Sequence, residues 1–271
     1  IVVFLLLSFI AVSQEMVTYP LQEGLKEISG LEQLNESTLV ALNDGGNKPK
    51  LYLTSLEGNP IKSVWIANAT NNDWEDLARD ENHLYIGDIG NNQNQRKDLC
   101  IYKVRISDVL MKDTVFAERI EYHYVDQKEF PPKKEELNFD AEGMIAYANS
   151  LYVFSKNRTE PFNGLCTVYK IPKLPGVHTA KVHTDFIVGD DGWWKDAITA
   201  VDVFEDEVYL LTYNRFFRLN FADLNTKPTF EFIFERTTQK EAIVVLNRNE
   251  LFIADEKQKI VGGGNLYKWE K

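Results

Sequence analysis

The sequence predicts an all-β fold, a β-propeller of five four-stranded blades, and three observations predict it. One strand pattern, apolar–aromatic–apolar turning polar, recurs five times, at residues 39–43, 84–88, 151–155, 208–212 and 251–255. The recurrence has a period of about 40–50 residues built only of short strands, which is the signature of a ring of repeated sheets. No segment carries a helical period for more than about two turns.

Each repeat supplies its strands in order. The first strand of each follows a short lead-in with an acidic or small residue: Ser29-Gly30-Leu31, Glu75-Asp76-Leu77, Glu142-Gly143-Met144, Thr199-Ala200-Val201 and Glu241-Ala242-Ile243. The recurrent pattern above is the second strand. The third is centred on an aromatic, usually beside a basic residue: Leu51-Tyr52-Leu53, Tyr102-Lys103, Tyr169-Lys170, Phe217-Arg218 and Tyr267-Lys268. Fourth strands are expected at 62–67, 120–125, 184–188 and 230–235. The fifth repeat runs out before a fourth strand, and residues 16–20 are a strand without a repeat. The expectation is that 16–20 completes the last blade and closes the ring, which removes a free sheet edge. A sixth blade, the runner-up count, would have to fit between Tyr102 and Glu142. That interval offers one strand, a short helix within 108–118 and a polar, Pro-containing excursion at 127–138.

Composition bounds the function. The chain has 271 residues, a net charge of −11 and 44% hydrophobic residues, enough for a sizeable core in a single domain spanning 14–271. The acidic balance argues against a nucleic-acid partner, because phosphates need cationic neutralisation. Residues 1–12 are almost unbroken apolar and lead to Ala11-Val12-Ser13. A short apolar run before a small-residue site reads as a secretory signal over 1–13, truncated at its start, and is too short for a membrane span, which takes about 20 residues. The expectation is a secreted or periplasmic monomer. Cys100 and Cys166 lie in neighbouring repeats at different offsets from their strand tyrosines, so two buried free thiols are expected despite that compartment.

In a propeller, the loops entering first strands and leaving second strands share one rim. Here those loops hold the polar residues. Glu75, Glu142 and Glu241 are the catalytic candidates, because neighbouring carboxyls can separate into acid and base. Asp76, Asp88, Lys156, Arg158, Arg215, Trp74 and Trp193 are the ligand-binding candidates: cations can clamp an anion and tryptophans can stack on a flat ligand. Asp44 and Asp88, beside Asn carbonyls, are weak metal candidates, for Ca²⁺ if any ion. Against each carboxylate stands a structural role, capping backbone N–H groups or pairing across blades. No Gly-x-Ser-x-Gly elbow, phosphate loop, dinucleotide fingerprint or zinc spacing occurs.

At Asp73-Trp74-Glu75-Asp76-Leu77-Ala78, Tyr85-Ile86-Gly87-Asp88-Ile89-Gly90-Asn91-Asn92 and Asp140-Ala141-Glu142-Gly143-Met144 the chain resembles a group of secreted bacterial β-propeller proteins to which no activity is assigned. More loosely it looks like esterase-like and phytase-like propellers. The resemblance implies a fold and little chemistry.

The first functional expectation is a binding protein for a glycan, peptide or anionic small molecule at one channel mouth, with catalysis left open. The second is a hydrolase on the same face, either a metal-assisted phosphoesterase or a carboxylate-pair glycosidase. The third is a protein–protein scaffold.

Overall fold

A computed structural model describes residues 15–271, so the expected signal at 1–13 lies outside the described residues. Strand β1 (Glu15–Pro20) comes first. The first antiparallel meander is β2 (Ile28–Asn35), β3 (Thr38–Asn43), β4 (Lys50–Ser55) and β5 (Pro60–Ile66). The second begins with β6 (Trp74–Arg79), β7 (His83–Asp88) and β8 (Cys100–Arg105). Helix α1 (Ile106–Met111) and the two-residue β9 (Thr114–Val115) then intervene before its last strand, β10 (Glu118–Tyr124). The third is β11 (Asp140–Tyr147), β12 (Ser150–Lys156), β13 (Leu165–Pro172) and β14 (Gly176–Ile187). After helix α2 (Trp193–Asp196) the fourth is β15 (Ile198–Phe204), β16 (Glu207–Thr212), β17 (Arg215–Asn220) and β18 (Phe230–Ile233). The fifth, β19 (Lys240–Asn247), β20 (Glu250–Asp255) and β21 (Asn265–Glu270), takes β1 as its outer strand.

The fold is a β-propeller. The first strands β2, β6, β11, β15 and β19 neighbour one another in sequence order, and β19 returns to β2. Five apolar clusters form the core, each between two adjacent meanders, as with Trp74 and Tyr102 against Leu42 and Val64. Second strands are buried on both faces; every residue of β3 is buried. β1 runs antiparallel to β21, with Met16 opposite Trp269, as expected for 16–20.

Two elements differ from expectation. β14 starts at Gly176 rather than 184, and its first half pairs in parallel with β10, Ile120 opposite Gly176 and Tyr124 opposite Ala180. The second and third meanders thereby become one eight-stranded sheet. An outermost strand buries little, so its sequence shows almost no apolar alternation. The 108–118 interval is helical only through Met111, after which β9 lies parallel to β5. Cys100 and Cys166 are both buried and free.

Candidate functional site

Each first strand carries a β-bulge at the same place. The registers skip one residue between Ile28 and Gly30, Trp74 and Asp76, Ala141 and Gly143, Ile198 and Ala200, and Lys240 and Ala242. The skipped residues are Ser29, Glu75, Glu142, Thr199 and Glu241. A bulge leaves one residue unpaired and re-aims its side chain. At three of the five positions that side chain is a glutamate, and all three line a cleft of about 190 Å³ at the channel mouth, with Asp44, Asn92, Lys156, Arg158, Trp193, Tyr213 and Gln239.

One wall is a linked chain of polar contacts. The Lys156 ammonium pairs with the Glu142 carboxylate and donates to the Tyr213 hydroxyl at 2.9 Å. Tyr213 donates in turn to Glu241 Oε1 at 3.0 Å, which also accepts from Gln239 Nε2 at 3.1 Å. Arg158 reaches Glu142 Oε1 at 3.0 Å and Asp140 Oδ2 at 2.7 Å, and bonds the Asn92 side-chain oxygen. The Trp193 ring packs 5.0 Å from the Lys156 ammonium and 5.2 Å from the Arg158 guanidinium, a cation–π arrangement that keeps both in place.

The other wall is acidic and sparsely partnered. Ser29 Oγ donates to Glu75 Oε2 at 3.1 Å, the one side-chain bond Glu75 receives among the described residues. Carboxylate oxygens of Asp44, Asp73 and Glu75 lie within 4.8 Å of one another. Glycine makes this approach possible: a Cβ on Gly90 would sit 2.5 Å from Asp73 Oδ2 and collide with Glu75 Oε1.

Burial and mutual repulsion favour protonation throughout. Burial lifts Asp44 to about 7, and lifts Asp73 to about 6 with help from Asp140. Burial, then Glu142, pushes Glu75 well above the usual carboxylate range. Glu142 rises to about 7 through burial although Lys156 pulls against it, and Glu241 does the same. The mouth therefore has room for positive charge that protons partly supply near neutrality.

Of the expected site residues, Glu75, Glu142, Glu241, Lys156, Arg158, Trp193 and Asp44 come together here. Four others do not reach the cleft. Trp74 begins β6 instead of sitting in a loop, is fully buried between meanders, and donates from Nε1 to Thr70 O. Asp76 follows the bulge and turns the other way. It is buried and accepts from the Leu77 and Met144 amides, both at 2.8 Å, tying β6 to β11. Asp88 pairs with Arg96 at 2.8 Å and accepts from the Asp73 amide, so it is not one of the three clustered carboxylates. Arg215 starts β17 and faces away, bonding Asp196, Glu231 and the Val188 carbonyl. Asn92, Tyr213, Gln239 and Asp73 were missed as site residues. Aligning the loops after the second strands would have set Tyr213 beside Lys156, but nothing in residue type alone marks it.

No protein-family model matches the chain, and no curated protein sequence does. Among solved structures it is similar to a glutaminyl cyclase from Myxococcus xanthus, with a TM-score of 0.56 and 12% identity over 95% of each chain. It is also similar to the PQQ-bound aldose sugar dehydrogenase of Streptomyces coelicolor, with a TM-score of 0.50 and 9% identity over 94% of this chain and 98% of that one. At such identities the likeness is one of fold, and the fold hosts enzymes and binding proteins alike.

Proposed function

We propose that the chain is a ligand-binding propeller whose channel mouth takes a small molecule by a protonated amine, such as the N-terminal group of a peptide. The observation behind this reading is the placement of three bulged glutamates around one cleft whose two cations, Lys156 and Arg158, are already committed to Glu142 and Asp140. Committed cations are poorly placed to clamp an anion. Glu75 and Asp44 face them with few partners, and an amine there replaces the protons that burial otherwise favours. Trp193 offers an apolar wall for the rest of the ligand. The cleft is sized for a head group, with the remainder of a peptide outside it. Action outside the cytoplasm, from the apolar run at 1–12, belongs to the same proposal.

Calorimetry with short peptides, their N-acetylated forms, neutral oligosaccharides and calcium tests it. Free-amine peptides should bind, and Glu75→Gln should weaken them. Equal binding of acetylated peptides, or a response to calcium or sugar alone, would overturn the reading.

A second reading, hydrolysis by a carboxyl pair, draws on one contrast. Glu142 lies beside two cations whereas Glu75 has only Ser29, surroundings that separate an ionised from a protonated carboxyl. Turnover of nitrophenyl glycosides or phosphate esters that is lost in Glu142→Gln would support it.

A further inference from the structure

Lys240 is adjacent to Glu241 on β19, but the two side chains serve different clefts. Glu241 faces the channel mouth, and Lys240 lines a separate cavity of about 530 Å³ between β18 and the closing strands β1 and β21. Met16, Phe232, Phe234 and Tyr267 give it an apolar and aromatic side, Thr18, Thr238 and Asn265 a polar one, and Glu235 and Arg236 also line it. That volume is in the range of small-molecule sites.

The lysine is 2% exposed, and no carboxylate among the described residues comes within ion-pair distance of its ammonium. Its ammonium donates to the Arg236 carbonyl at 3.0 Å and to Thr238 Oγ1 at 2.7 Å. It lies 4.4 Å from the Phe234 ring centroid and 5.6 Å from that of Tyr267. Asp255, opposite Lys240 on β20, is one link away: Thr238 Oγ1 accepts from Lys240 and donates to Asp255, whose carboxylate also accepts from the Tyr267 hydroxyl and the Asn265 amide. Buried charges are ordinarily paired, because neutral acceptors replace water incompletely.

We infer that this cavity is a second binding site, for a small organic carboxylate whose apolar or aromatic body packs on Phe232, Phe234 and Met16 while its carboxylate pairs with Lys240. Arg236 adds positive potential at the edge, against Glu235 beside it. Burial lowers Lys240 to about 8, with Asp255 opposing the shift and Arg236 reinforcing it. A carboxylate partner favours the charged form, so binding and protonation of Lys240 are coupled.

Calorimetry on the full chain tests this, with benzoate and 4-phenylbutyrate as probes and benzamide and 4-phenylbutanol as their uncharged counterparts. The carboxylates should bind at least roughly tenfold more tightly than the uncharged pair, a difference of about 1.4 kcal/mol. Lys240→Met should remove that preference, and Glu241→Gln at the mouth should leave it intact. If Lys240→Met does not fold, the wild-type pH profile decides. Affinity for 4-phenylbutyrate should hold below pH about 8 and fall above it, as Lys240 loses its proton. Absence of binding at millimolar probe, equal binding of the uncharged analogues, an unchanged Lys240→Met, or an affinity that does not fall above that pH would each overturn the inference.

Discussion

Lys156 and Glu142, on adjacent strands of the third meander and only 2% and 6% exposed at their side chains, form a buried ion pair at the wall of the channel mouth. Neither has water to fall back on, so the loss of one leaves the other to the few neighbours that remain, Arg158 for Glu142 and Tyr213 and Trp193 for Lys156.

Removing one partner should therefore be costly. Lys156→Met leaves Glu142 with Arg158 alone and is expected to destabilise the fold by about 3–5 kcal/mol. Lys156→Met with Glu142→Gln should recover part of that loss. Urea denaturation of both variants checks it, and equal stability of the single and double variants would speak against a paired role.

Stability should decline between mildly acid and slightly alkaline pH. Asp44, Glu142 and Glu241 titrate near 7 and Asp73 near 6 in the fold, above their ordinary values of 3.8 and 4.5. A folded pKa raised in this way means that the native state holds more protons than the unfolded chain. Their contribution is complete below the unfolded values and is lost as pH rises through the folded ones. The melting temperature should be higher at pH 5 than at pH 7.5, and Glu241→Gln should flatten the slope. His183, lowered by burial, acts weakly in the opposite sense. A melting temperature that climbs over the same interval would contradict the assignment.

Two glycine substitutions should separate packing from the site. A Cβ at Gly30 would lie 2.9 Å from the Leu77 backbone nitrogen, where β2 meets β6, and backbone does not yield easily. Gly30→Ala should cost about 1–3 kcal/mol by overpacking. Gly90→Ala presses on the carboxylate ends of Glu75 and Asp73, which can move. It should disturb ligand binding more than stability. Chemical denaturation paired with calorimetry distinguishes the two outcomes.

Deleting residues through Pro20 takes away β1 and bares the edge of β21. An uncovered strand edge invites pairing with another chain. The shortened protein should melt lower and elute from size exclusion as larger species. A stable monomer would show that the closing strand is dispensable.

The sequence made the second strands legible because they are buried on both faces, and the third strands legible because each sets buried apolar or aromatic residues beside half-exposed basic or polar ones. The outer strands were only partly legible: β14 presents mostly exposed residues, and its pairing with β10 depends on contacts remote in sequence. At the site, the acidic lead-ins located the mouth. What they lacked was register, since one residue separates opposite sides of a strand. Glu75 at the bulge reaches the cleft, whereas Trp74 before it enters the core and Asp76 after it binds neighbouring amides. Arg215 was placed by its loop, but it begins a strand, and Asp196 and Glu231 draw it outward.

The parallel pairing of β10 with β14 has a mechanical consequence for the mouth. It joins the outer edges of the two meanders that contribute Glu75, Glu142, Lys156 and Arg158, so that half of the cleft moves as one stiff jaw. Trp193 and Tyr213 belong to the fourth meander and Gln239 and Glu241 to the fifth, which share no such strand pairing among the described residues. Any breathing of the mouth is thus borne by the opposite half, and amides along β10 and β14 should exchange with deuterium more slowly than those of the uncovered outer strand β18.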